Sequence, residues 1–164
     1  MNLLFSLIFI SCAFLLGYAQ YLQHAEGLLP CPLCVAQRLA YWMLGLTACL
    51  AMLHNPTPIG CRIYGFFLTF FAFTGAIVAA RHAWLIRYPE SFECGISPEE
   101  LFLNALPFAE WWPGMFEANG DCANVEWEFL ALKIPDWSLI AFIGLGILAI
   151  YMALAQKQFI HPRG

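Results

Sequence analysis

Four apolar stretches set the limits on this chain: Leu3 to Leu22, Val35 to Leu53, Ile63 to Ala80 and Ser138 to Ala155. Each is close to the roughly 20 residues a helix needs to cross a bilayer. Only the second carries a charge, Arg38, near its start. Charged residues make up 11% of the chain and apolar residues 62%, so polar surface is too scarce to cover a water-soluble fold. The expected class is therefore an all-α integral membrane protein, a four-transmembrane-helix bundle forming one domain over residues 1–164. The first stretch lacks a basic leading segment and outlasts the apolar core of a typical secretory signal, so it is expected to remain as a span. A net charge of −4 argues against a nucleic-acid partner.

The connections are unequal. Residues 23–34 form a short loop. His54 to Arg62, with Pro56, Pro58 and Gly60, forms a tight turn at the opposite face. Residues 81–137 form a long connection with ten acidic and three basic residues, and a connection of that length usually carries function. Leu101 to Phe116 within it is rich in aromatic and aliphatic side chains, among them Trp111, Trp112, Met115 and Phe116. It reads either as a short membrane-surface helix or as the core of a small cap. Trp84 and Trp137 read as interface anchors, and Asp136 as a cap for the last span.

Parity sorts the seven cysteines. With four spans, the first and third connections share a side, so Cys31, Cys34, Cys94 and Cys122 face one aqueous compartment. Cys61 lies at the other face, and Cys12 and Cys49 fall within spans. Basic residues do not set the orientation: Arg62, Lys157 and Arg163 on one side balance Arg81, Arg87 and Lys133 on the other. Disulfides persist in oxidising compartments such as the bacterial periplasm. The four-cysteine face is therefore expected outside, with both termini in the cytoplasm of a bacterial inner membrane.

In the run PCPLCVAQR, Pro30 and Pro32 bracket Cys31. Proline is favoured at the first helical position, which places Cys34 in the first turn of the second span. Backbone N–H groups and the helix dipole there favour the thiolate, the reactive form of cysteine. Arg38 lies four residues on, along the same helix face, and a charge within a span marks a functional site. Other readings of the pair remain open. Zinc uses the same Cys-x-x-Cys spacing, but no second such pair or His pair completes its usual set, and no metal is expected. A permanent staple is another reading, and Arg38 could simply extend its head to the membrane surface. Were Cys94 and Cys122 bridged, closing the intervening loop would stabilise the chain by about 3–4 kcal/mol.

The run CPLCVAQR resembles the Cys-Pro-Leu-Cys-x-x-Gln-Arg signature of the disulfide bond formation protein B (DsbB) family, quinone-dependent thiol oxidases of the bacterial inner membrane. YLQHAEGLLPC resembles the family's first periplasmic loop, and RYPESFEC and WWPGMFEANGDC the segments leading to its second cysteine pair. EWEFLALKIPDW resembles the lead into its last span. The resemblance implies a membrane thiol:quinone oxidoreductase that reoxidises a DsbA-like thioredoxin-fold periplasmic protein. Cys94 would hold the mixed disulfide with that partner. Cys122 would exchange with Cys31, freeing Cys34 beside the quinone. Cys34 and Arg38 would engage ubiquinone or menaquinone drawn from the membrane pool. His82, at the outer end of the third span, occupies a position similar to a family histidine, implying a place in the quinone pocket or in proton uptake; the other reading is a hydrogen-bonded histidine at the membrane interface. A vitamin K epoxide reductase-like enzyme is a rival, but that family places its loop cysteines before the Cys-x-x-Cys. A non-catalytic scaffold stapled by disulfides is the rival from another class.

Overall fold

The computed structural model describes residues 2–25, 27, 30–88, 105, 107, 111–116, 128–129 and 131–155. Among them, four helices are long and apolar enough to cross a membrane: α1 (Asn2–Ala25), α2 (Pro32–His54), α3 (Pro58–Arg87) and α5 (Ile134–Ala155). A single turn, α4 (Pro113–Phe116), and a two-residue antiparallel ladder of β1 (Glu128–Phe129) with β2 (Leu132–Lys133) precede α5. The four-helix class expected from the sequence is the observed one.

Helix ends follow local chemistry rather than hydropathy. Pro32 starts α2 as expected, with Cys31 as its N-cap. At the far end, Asn55 takes a left-handed conformation (φ 45°) and returns its N–H to the Ala51 carbonyl. Pro58 then opens α3 after only three residues. The third helix overruns its apolar stretch at both ends. Its 30 residues make it about 45 Å long, against roughly 30 Å of hydrocarbon, so its last turns stand clear of the bilayer core. The rings of Trp84 and Tyr88 meet there at a tilt, with centroids 4.6 Å apart. Arg87 pairs with Asp136 at 2.9 Å, tying the end of α3 to the start of α5.

Asp136 caps the start of α5 as expected, but from inside the first turn. It is the third residue of α5, and its Oδ2 accepts the N–H of Lys133 at 3.2 Å. The side chain thus reaches back from inside the first turn, the arrangement that acidic residues adopt in a capping box.

Packing runs α1 on α2, α2 on α3 and α3 on α5, while α1 and α5 scarcely touch. The buried face of α3 explains its close fit. Cys61, Gly65, Leu68, Ala72, Gly75, Ala79 and His82 alternate steps of four and three residues, one stripe of mostly small side chains. In a membrane, where apolar burial gives helices no reason to associate, such stripes let backbones approach and pack. The outward faces carry large apolar residues such as Phe66, Phe73, Ile77 and Ile147, as lipid contact requires.

Gly75 marks the tightest point. A methyl group there would run into the ring of Phe142, which stacks on Tyr41 at a centroid distance of 4.1 Å. Gly75→Ala is therefore expected to destabilise the protein by about 1–3 kcal/mol, the usual cost of overpacking. A lowered unfolding midpoint in detergent checks this, and an unchanged midpoint would mean that the α3–α5 contact is slack.

Of the aromatic segment at Leu101–Phe116, only part falls among the described residues. Met115 is buried and Phe116 packs on the main core, while Trp111 and Trp112 are exposed. The described turn therefore both covers the bundle and presents aromatics outward. Leu103, Leu106 and Phe108 lie outside the described residues, as do Cys94 and Cys122.

Candidate active site

The site grows from the first two turns of α2. Cys31 has extended backbone angles (φ −81°, ψ 162°), and its sulfur accepts the N–H of Cys34 at 3.2 Å. A cysteine thus serves where Ser, Thr, Asp or Asn usually cap a helix. This cap brings the two sulfurs, both free thiols, to 2.9 Å of each other.

The two sulfurs have different surroundings. Cys31 is 2% exposed and packs with Leu33, Val78 and Leu85, against α3. Cys34 faces a cavity of about 360 Å³. One wall of that cavity comes from α1, through Phe14, Tyr18 and Leu22, and another from Ile134, Trp137 and Ser138 of α5. It therefore opens where α1 and α5 fail to close on each other. Trp137, expected as an interface anchor, belongs to this lining.

Helical spacing supplies the cavity's polar groups. Cys34, Gln37, Arg38 and Tyr41 follow at i, i+3, i+4 and i+7, on one face of α2, and all four line the cavity. Arg38 is 8% exposed, so its head stays inside the protein rather than extending to the membrane surface. Its Nη1 donates to the carbonyl of Met115 at 3.1 Å, which makes α4 the lid over the guanidinium. Tyr41 directs its hydroxyl to the Ser138 carbonyl at 3.3 Å and lies 3.1 Å from the Ser138 hydroxyl.

From α3 comes His82, with no exposed surface. Its Nε2 lies 3.6 Å from the Cys31 sulfur and its Nδ1 3.1 Å from Gln37 Nε2. His82 also lines the cavity. The structure thus brings together Cys31, Cys34, Arg38 and His82. The roots of the long connection that carries Cys94 and Cys122, Arg87 and Lys133, meet at Asp136. Gln37 and Tyr41 were missed by the sequence reading. Their signal was present in the i+3 and i+7 spacing from Cys34.

Three further cysteines lie outside this cluster. Cys12, on α1, packs in the bundle core against Gly45 of α2, and Cys61 is buried in the first turn of α3 near the Pro56 carbonyl. Cys49 is half-buried within α2.

Comparison with known proteins places this site in context. The family described as Disulfide bond formation protein DsbB matches residues 1–152. A disulfide bond formation protein B from Nitrosospira multiformis is 62% identical over 92% of this chain and 90% of its own length. Those from Nitrosomonas eutropha and Nitrosomonas europaea are 60% and 58% identical, each over 91% of this chain and 92% and 91% of their own.

Proposed function

The chain belongs to the disulfide bond formation protein DsbB family of multi-pass membrane oxidoreductases, and from that premise we propose that it passes electrons from a periplasmic dithiol protein to a membrane quinone. The observation that carries this reading is Cys34 and Arg38 side by side on the wall of a cavity open between α1 and α5.

A quinone headgroup suits that cavity. It is flat and apolar, with oxygens that only accept hydrogen bonds. The cavity offers aromatic and aliphatic walls and a guanidinium with N–H groups beyond the one given to Met115. Arg38 and Cys34 would hold the headgroup, whether ubiquinone or menaquinone. The gap between α1 and α5 would admit it from the bilayer. When bound, the quinone accepts two electrons and two protons and leaves as quinol.

The protein's own residues do the rest by thiol exchange. A thiolate of the reduced DsbA-like partner attacks Cys94 of a Cys94–Cys122 disulfide, releasing Cys122 as a thiolate. The partner's second thiolate then closes its own disulfide and frees Cys94. Cys122 attacks Cys31 of the Cys31–Cys34 disulfide, and Cys34 departs carrying the electron pair into the cavity. Cys94 attacks the Cys122–Cys31 bond, restoring the loop disulfide and freeing Cys31 to re-form its bond with Cys34 as the pair is oxidised. Arg38, one turn from Cys34, holds the negative charge that arrives there. The cap geometry keeps Cys31 within reach of Cys34 throughout.

The direct test is quinone reduction by purified protein given a reduced DsbA-like protein. One quinone consumed per partner disulfide formed is the expected result, and no quinone consumption would overturn the reading. The orientation proposed is that of a bacterial inner-membrane protein with both termini cytoplasmic and the Cys31 end periplasmic. After reduction, a membrane-impermeant thiol reagent applied to intact cells should label Cys94 and Cys122 and leave Cys61 unlabelled. Labelling of Cys61 from outside would invert the topology.

A further inference from the structure

Gln37 is 6% exposed within an apolar bundle. A buried amide needs hydrogen-bond partners, because leaving it unpaired there is costly. Its nitrogen lies 3.1 Å from His82 Nδ1. In this arrangement the amide NH₂ donates and Nδ1 accepts. A neutral imidazole accepting at Nδ1 carries its proton on Nε2. That nitrogen lies 3.6 Å from the sulfur of Cys31, within hydrogen-bond range for sulfur.

From this chain of contacts we propose that Gln37 is a positioning residue. It sets the tautomer and orientation of His82, so that the Nε2–H is aimed at Cys31, the thiol that exchanges with the long connection. The inference rests on the thiol relay described above, and it assigns His82 a duty toward Cys31 in addition to its place in the cavity wall. The burial pattern is consistent with this division. Cys34 has Arg38 one turn along its own helix as a source of positive charge. Cys31 packs against α3, where His82 Nε2 lies 3.6 Å from its sulfur. The step concerned is the attack of Cys94 on the Cys122–Cys31 bond. A Cys94–Cys122 bond forms, the Cys122–Cys31 bond breaks, and its electron pair remains on the Cys31 sulfur. The His82 N–H stabilises that sulfur as it departs. The same N–H keeps the free thiol reactive for closing onto Cys34.

The test needs neither quinone nor partner protein. In the full-length, reduced protein carrying Cys34→Ser, the rate of Cys31 modification by a small methanethiosulfonate is followed at fixed neutral pH by peptide mass spectrometry. Chelator is present throughout to exclude thiophilic metal ions. Gln37→Leu is expected to slow Cys31 modification about tenfold, equivalent to roughly 1.4 kcal/mol. In a His82→Phe background the same change is expected to add nothing. Equal slowing in both backgrounds, or none in either, overturns the proposal. Nitrogen-15 spectra of histidine-labelled protein with an intact Gln37 are expected to show His82 as the neutral Nε2–H form. An Nδ1–H form overturns the proposal even if the variants fail to fold. Failure of quinone reduction would sink the relay while leaving these readouts unchanged, so the two failures are distinguishable.

Discussion

Cys34→Ser is expected to abolish quinone reduction, and Cys94→Ser to abolish oxidation of the partner protein, with different species accumulating in each. The difference follows from where the sulfurs lie. Cys34 opens into the cavity, while Cys31 is turned into the α2–α3 contact. A serine at 34 leaves no sulfur on the cavity wall to deliver electrons. Cys31 is then unable to form its short-range disulfide, and its thiolate can attack Cys122 of the Cys94–Cys122 disulfide, so a Cys31–Cys122 bond should accumulate with Cys94 released as a thiol. A serine at 94 leaves Cys31 and Cys34 with their cap and their 2.9 Å approach intact. Their disulfide should therefore still form when quinone is supplied, while the partner stays reduced. Non-reducing peptide mapping together with quinone absorbance separates the outcomes. Wild-type partner oxidation by Cys94→Ser would remove Cys94 from the exchange, and sustained quinone reduction by Cys34→Ser would remove Cys34 from the cavity chemistry.

The parts legible in the sequence are those governed by short-range rules. Apolar length announced four helices, and a proline between two cysteines announced the start of α2, with Cys34 in its first turn. The i+4 step placed Arg38 beside Cys34. What could not be read depends on which helices touch. Nothing in the sequence near Gln37 indicates that a histidine 45 residues away will meet its amide. That meeting requires the small-residue stripe of α3 to be laid against its neighbours in one register. The overrun of α3 to Arg87 was hidden for a related reason. Hydropathy ends the span at Ala80, but the helix is continued by its own backbone bonds and anchored by a salt bridge to Asp136, a partner 49 residues distant. Asp136 itself was recognised as a helix-start residue, and only its reach, backward from within the first turn, needed coordinates.

Arg38→Met is expected to raise the apparent Michaelis constant for quinone by about ten- to a hundredfold. A hydrogen bond involving a charged group is worth roughly 1.5–3 kcal/mol, and the guanidinium is the cation on the wall that Cys34 shares. Methionine retains much of the apolar stem, so the packing of α2 should survive. Two functions go with the charge. One is the grip on an oxygen that becomes negative as the quinone is reduced. The other is the electrostatic stabilisation of negative charge on the Cys34 sulfur, one helical turn away. Alkylation of Cys34 at neutral pH should therefore slow, while exchange at Cys94 continues at close to its original rate. A third consequence is structural, because the Met115 carbonyl loses its donor and α4 its tie to the bundle. Arg38→Lys separates these effects. Lysine returns a positive charge but not the planar fork that can hold a carbonyl of α4 and a second oxygen at once. It should recover Cys34 reactivity more fully than quinone affinity. Steady-state quinone kinetics and Cys34 alkylation measured on both variants decide the matter. If Arg38→Met alters neither, the buried guanidinium serves only to hold α4 in place, and the charge at Cys34 is managed by the helix start alone.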